Sequence, residues 1–396
     1  MNKALHNLAE VHYGKSPKGI QVDSSVYPIF GTGGHVGYAI KPLFKAPGII
    51  VGRKGTLGNP IFAPDDFWAI DTTYAVLPKS GVDAKWIYYN LLNYDLSRLN
   101  EATGVPSINR DYLYQISFCY LEPEEQRAIA DILTTVDDAI EQTEALIRKH
   151  QRIKQGLMQD LLTRGVDENG ELRSRIELAP FLYKQNNGQW IPNEWTIKTI
   201  GNLSTYVGSG ITPKGGSEIY VSEGVMFIRS QNVTFEGLLL NDVAYIDDKI
   251  HRSMCRSEIF PYDVLLNITG ASIGRCCVFP EGLGKANVNQ HVCAIRFASP
   301  DYYDANYLSY VLSSWIGQSQ IDKFNAGGNH QGLNYQQLRS FQIPWPEKKE
   351  IKTIVDILKR NDELITIEKN NHLKLLSLKQ GLMQDLLTGK VRVYYE

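Results

Sequence analysis

Cysteine is scarce in this 396-residue chain: five residues (Cys119, Cys255, Cys276, Cys277, Cys293), with no CxxC spacing. That argues against a Cys-rich zinc site or a disulfide framework and reads as reduced thiols in a cytoplasmic protein. No apolar run reaches 18 residues, and the start of the chain lacks the apolar stretch of a signal peptide, so no membrane association is expected. An excess of one charge is missing too. Lys and Arg number 41 against 43 Asp and Glu, a net charge of −2, so any surface for nucleic acid must be local. There is no GxxxxGK[ST] phosphate loop and no helical HxxxH or HExxH, and the eight histidines are scattered. No nucleophile, base and orienting group assemble into one site. The chain is therefore expected to be no enzyme and to hold no metal or cofactor itself.

What is present is a globular composition, 43% hydrophobic and 21% charged, in a chain long enough for two or three units. It is organised by a repeat. The ten residues KQGLMQDLLT occur at Lys154–Thr163 and again at Lys379–Thr388, a shift of 225. The same shift pairs Glu122 with Glu347, Glu125 with Glu350, Asp137 with Asp362 and Ile140 with Ile365. Apolar residues recur at helical spacing through both copies, for example Ile129, Ile132, Leu133, Val136 and Ile140. Pro123 and Pro346 stand at the entrances, where a helix tolerates them. Helices of about 60 Å with one apolar stripe need a partner, and each copy is expected to pair with the other as an antiparallel coiled coil. Thr143, His150, Asn361, Glu368 and Asn371 interrupt the seam, either fixing register or partly solvated.

The segments before the helices resemble each other more faintly. Gly52–Gly58 follows Ile49-Ile50-Val51 as Thr269–Gly274 follows Val264–Ile268; Trp86–Leu92 matches Tyr307–Leu312. Ser107-Ile108-Asn109 with Leu113 mirrors Gly332-Leu333-Asn334 with Leu338. The expected fold class is α+β: two similar globular α/β heads, 1–121 and 190–346, separated by two long antiparallel coiled-coil-like helices. The helices occupy 122–166 and 347–396 (with a C-terminal tail), a connector spans 167–189, and the arrangement is pseudo-twofold and cyclic.

Polar, Gly-rich loops at equivalent places are the candidate site. The first head offers Thr32, His35, Arg53, Lys54, Thr56, Ser107, Asn109 and Arg110. The second offers Ser230, Gln231, Asn232, Thr269, Ser272, Arg275, Asn289, Gln290, His291, Asn329, His330 and Gln331. Arg and Lys suit phosphate or guanine, and Asn and Gln suit adenine edges; an ordinary polar loop would also contain such residues. Gly-rich Phe30–Gly34 and Asn59-Pro60-Ile61-Phe62 approach methyltransferase motifs but miss their glycine spacing and second proline, and a turn accounts for them. In the repeated segment, Gly156 and Gly381 each cost about 1 kcal/mol relative to alanine. Either they fit the intramolecular crossing, or a partner subunit packs there. In the second case Gly156, Leu157, Met158, Leu161 and Leu162, with Gly381, Leu382, Met383, Leu386 and Leu387, form the docking surface.

The duplicated helix ending in KQGLMQDLLT, the entrance Glu122-Pro123-Glu124-Glu125-Gln126-Arg127 and the head–helix–head–helix order resemble the specificity subunit of type I restriction–modification enzymes. So does Ile191-Pro192-Asn193-Glu194-Trp195, which opens the second head. The resemblance implies two target-recognition domains, each reading part of a split, asymmetric site in double-stranded DNA. It implies helices that set the spacer and dock methyltransferase subunits, two of them, with a restriction or translocase subunit completing the complex. S-adenosylmethionine, ATP and magnesium would belong to those partners. Two other classes remain open: a DNA-modifying enzyme acting alone, and a coiled-coil scaffold whose heads bind protein.

Overall fold

The computed structural model describes residues 2–186, 188–213, 215–325 and 332–393. The chain forms two compact units, one from Met1–Leu146 with Glu368–Glu396 and one from Ile147–Ile367. Each holds one head and a part of both long helices.

In the first unit the hydrophobic run Gly48–Gly52 forms a strand buried along its whole length, as expected where both faces are covered. It lies inside an antiparallel sheet of spatial order Ala9–Tyr13, Thr73–Pro78, Gly48–Gly52, Ile61–Ala63. A second sheet orders Gln21–Val22, Gly34–Ala39, Tyr27–Gly31 and Trp68–Ala69, the last pair parallel. Helix Ala84–Asn93 starts where the Asp83 carboxylate accepts from Trp86 N at 2.8 Å; its Trp86, Ile87 and Leu91 enter the core of the first sheet. Strand Asn2–Ala4 pairs with Ser117–Cys119 just before the first long helix.

The second unit repeats this plan. Ser204–Ser209, Val292–Phe297, Val264–Asn267 and Cys276–Val278 form an antiparallel sheet in the same order. The second sheet again contains a parallel pair, Val225–Ile228 with Ala286–Val288. Helix Tyr302–Ser313, capped by Asp301, takes the place of Ala84–Asn93, and Thr196–Thr199 pairs with Gln342–Trp345 before the second long helix. This head adds helix Trp315–Asn325 and hairpin Tyr183–Asn186/Gln189–Pro192.

The long helices run Pro123–Leu161 and Lys348–Leu386, each of 39 residues, or about 58 Å. They are antiparallel in both units: numbers fall along one as they rise along the other. In the first unit Asp137 pairs with Lys379 at 2.6 Å and Glu144 with His372 at 3.2 Å. In the second, Lys154 pairs with Asp362 at 2.6 Å, and Asn361 Nδ2 donates to the His150 carbonyl at 3.2 Å. Asn361 thus fixes register, whereas buried Thr143 is satisfied by its own helix, donating to the Ala139 carbonyl at 2.7 Å. Among the described residues, no helix is long and apolar enough to cross a membrane.

Candidate nucleic-acid interface

The same backbone frame carries the polar loops of both heads. The loop after the central strand meets the chain entering the last short helix at the bridges Lys54–Ser107 and Thr269–Gly332. Ile108 N donates to the Arg53 carbonyl at 3.0 Å, and Leu333 N to the Ile268 carbonyl at 2.8 Å. Asn109 and Asn334 then cap equivalent helices, accepting from Asp111 N at 3.0 Å and Gln337 N at 2.8 Å. One strand away, Gly14 and Gly210 press on the neighbouring chain: a Cβ there would lie 2.0 Å from the Ile70 oxygen and 1.6 Å from that of Val288. Only glycine fits either place.

On this frame the first head gathers Arg53 and Arg110 around Tyr13. Their guanidinium carbons lie 5.2 and 5.1 Å from its ring centroid, within cation–π range. The Tyr13 ring backs onto Tyr74, 5.2 Å between centroids. Arg53 Nη1 donates to the Asp71 carbonyl at 3.0 Å. Lys54 and Thr56 are exposed on the same loop. Thr32 approaches it from the hairpin turn, its Oγ1 3.8 Å from the Cβ position of Gly55; His35 is exposed on that hairpin beside Tyr38. Ser107 lies in the bridge, and the Asn109 side chain is engaged as a cap.

The second head gathers hydroxyl, amide and imidazole groups. Thr269 Oγ1 lies 2.6 Å from His291 Nδ1, and Gln290 Nε2 3.3 Å from His291 Nε2. Thr212 Oγ1 donates to the Gln290 side-chain oxygen. Ser209 Oγ and Tyr335 Oη are 2.6 Å apart. Ser272 Oγ accepts from Asn267 Nδ2 at 3.1 Å, and Arg275 is exposed. Two expected contact residues are interior instead. Asn232, 1% exposed, donates to the Leu239 and Asp242 carbonyls and accepts from Arg229 N. Buried Asn289 accepts from His291 N at 3.1 Å. Gln231 donates to Asp242 at 2.5 Å beside half-buried Ser230. Asn329, His330 and Gln331 lie outside the described residues. The sequence reading missed Tyr13, Ser209 and Tyr335; the match of Asn109 to Asn334 was the signal, since it sets Arg110 against Tyr335.

The repeated segment is largely used inside the chain. Leu161 and Leu162 are buried in the second unit's core with Trp195 and Ile351, and Leu157 and Met158 pack against it. Met383, Leu386 and Leu387 are buried in the first unit's core with Leu5 and Trp86, and Leu382 packs against it. Five of these eight residues are thus core and the other three, Leu157, Met158 and Leu382, are partly buried against it, because the apolar face of each segment meets a head. A matching polar clamp holds each segment. In the second unit Lys154 pairs with Asp362 and lies 5.6 Å from the Tyr310 ring, while Tyr310 Oη donates to Asp362 at 2.7 Å. In the first unit Lys379, Asp137 and Tyr89 repeat this, with Tyr89 Oη donating to Asp137 at 2.9 Å. Burial, with the adjacent carboxylate, pushes both phenols up, so they stay protonated donors. Gly156 and Gly381 face open space, with nothing within 4 Å of a Cβ. Ile153, Leu364 and Ile367 are exposed apolar residues on the second unit's helices, and Leu146, Leu373, Leu376 and Leu378 on the first's.

Residues 1–149 and 192–377 match the family described as type I restriction modification DNA specificity domain. A putative type I restriction enzyme MjaX specificity subunit of Methanocaldococcus jannaschii is 26% identical over 77% of this chain and 65% of its own length. The MjaVIII specificity subunit of the same organism is 24% identical over 87% of this chain and 76% of its own length. Among solved structures, the S subunit of a type I restriction–modification system from M. genitalium superposes with a TM-score of 0.66. It is 15% identical, with 98% of this chain and 96% of that one covered.

Proposed function

The chain belongs to the type I restriction–modification DNA specificity family, and on that basis we propose that each head reads one half of a bipartite, asymmetric site in double-stranded DNA. The observation that carries this is the pairing of one backbone frame with two different loop surfaces. Gly14 and Gly210, Asn109 and Asn334, and the bridges Lys54–Ser107 and Thr269–Gly332 repeat. The side chains they present do not: two guanidiniums and a tyrosine in one head, hydroxyl, amide and imidazole groups in the other. A duplicated reader of two unlike half-sites requires that combination. Base edges supply the sequence information, and the remaining polar groups position the heads on phosphates.

The long helices fix the spacing between half-sites, and their exposed face around Gly156 and Gly381 docks two methyltransferase subunits. A restriction or translocase subunit completes the assembly. S-adenosylmethionine, ATP and magnesium are used by those partners, in the cytoplasm, and this chain is non-catalytic. The test is genome-wide methylation mapping of cells expressing this chain with and without its methyltransferase subunit. A split adenine-methylation motif appearing only with both is the expected result. Methylation by this chain alone, or none with both, overturns the reading.

A further inference from the structure

The bridges and caps equate positions across the heads. Strand register does the same: Tyr13 and Val51 both lie against Tyr74, as Ser209 and Leu266 both lie against Cys293. Tyr13 therefore corresponds to Ser209, Arg53 to Ile268 and Arg110 to Tyr335. At this one place the scaffold is common and the exposed chemistry is opposite in kind. The first head presents two guanidiniums, which only donate; the second presents two hydroxyls, which donate and accept.

Resting on the bipartite reading above, we propose that Arg53 and Arg110, oriented by Tyr13, form the base-reading centre of the first head and select a guanine. Tyr13 is 47% exposed and both arginines are half-buried, so the pair reaches the surface packed against the ring. Arg53 is anchored through the Asp71 carbonyl. Arg110 has its Nε buried without a hydrogen-bond partner among the described residues, and its guanidinium also lies 5.9 Å from the Tyr114 ring. Tyr114 is itself fixed, accepting from Val11 N at 2.9 Å. Packing thus holds two guanidiniums whose remaining N–H groups can donate as a fork, and the matching base edge is guanine O6 and N7 in the major groove. The hydroxyl pair at the same place in the second head has no such preference, so one shared position separates the two half-sites.

The test compares methylation motifs of wild-type, Arg53→Lys and Arg110→Lys chains expressed with their methyltransferase subunit. Lysine keeps the charge and loses the bidentate fork. The expected result is relaxation at a G·C pair in one half-site only, discrimination there falling by about 5- to 150-fold, while the other half-site is unchanged and reports a folded, assembled protein. Tyr13→Ala, which removes the orienting ring, relaxes the same position. A weaker but unaltered motif for both lysine variants would mean phosphate contact and overturn the proposal, as would relaxation at an A·T pair or in both halves. Failure of the bipartite reading itself is separate: it would show as no split motif with the wild-type chain.

Discussion

At the scale of single residues, the first turn of each long helix carries a glutamate, Glu125 buried and Glu350 partly buried, that ties down the segment following the other helix. Glu350 accepts from Val166 N at 2.8 Å, from Trp195 Nε1 at 3.0 Å and from the Arg173 guanidinium. Glu125, 2% exposed, accepts from Arg392 Nε and Nη2 at 2.8 and 2.6 Å and from Val393 N at 3.1 Å. The Arg392 hydrogen bonds hold the Glu125 carboxyl below the usual glutamate range, against burial. A carboxyl lowered by folding stabilises fully above its unfolded pKa and loses that contribution as pH falls through the native one. Glu125→Gln is therefore expected to lower stability at pH 7 by about 2 kcal/mol. In urea titrations the gap to wild type should close as the pH drops below about 4. A gap independent of pH would mean that the ionised carboxylate is not what holds the tail. The same scale shows where loop chemistry escaped the sequence. Asn109, Asn232 and Asn289 have the residue type of base readers, yet each spends its amide on backbone groups. For Asn109 and Asn289 the partner is the backbone amide two residues along, a cap or turn that residue type alone does not separate from a base contact, whereas Asn232 reaches the Leu239 and Asp242 carbonyls across its loop.

At the scale of elements, the repeat told that one surface is used twice but not what it meets. Ten identical residues explain themselves once the clamps are seen: Lys154 and Lys379 reach equivalent Asp–Tyr pairs, and the leucines that follow enter equivalent cores. Helical period, the proline entrances and the Asn109/Asn334 match were legible because they are local. Burial of Leu161 or Leu386 in a head was not, because it depends on contacts far along the chain. The glycines are left over from this account. With open space at the Cβ, intramolecular crossing does not require them. Gly156→Ala and Gly381→Ala are expected to stabilise the isolated chain by about 1 kcal/mol each. Leucine at both positions should leave the chain folded by circular dichroism and stop its co-elution with methyltransferase subunits in gel filtration. Undiminished co-elution would remove the docking role from this face.

At the scale of the whole molecule, the compact units divide the chain differently from its sequence blocks. The boundaries fall inside the long helices, between Leu146 and Ile147 and between Ile367 and Glu368, so each helix belongs to both units. A sequence reading cuts where patterns change; cores cut where packing is thin. Those boundaries are also where the helices can be lengthened without touching Leu161, Leu386 or either clamp. If the helices set the spacing between half-sites, one extra turn of four residues in both, inserted there, adds about 6 Å. That is close to two base-pair steps of about 3.4 Å. The methylated motif should then keep both half-site sequences and widen its unread gap by at most about two base pairs. Methylation should be weaker overall, since the added turn also rotates one part of each helix relative to the rest. An unchanged gap would make the helices mere connectors. Altered half-site bases would place sequence reading in the helices instead of the loops around Tyr13 and Ser209.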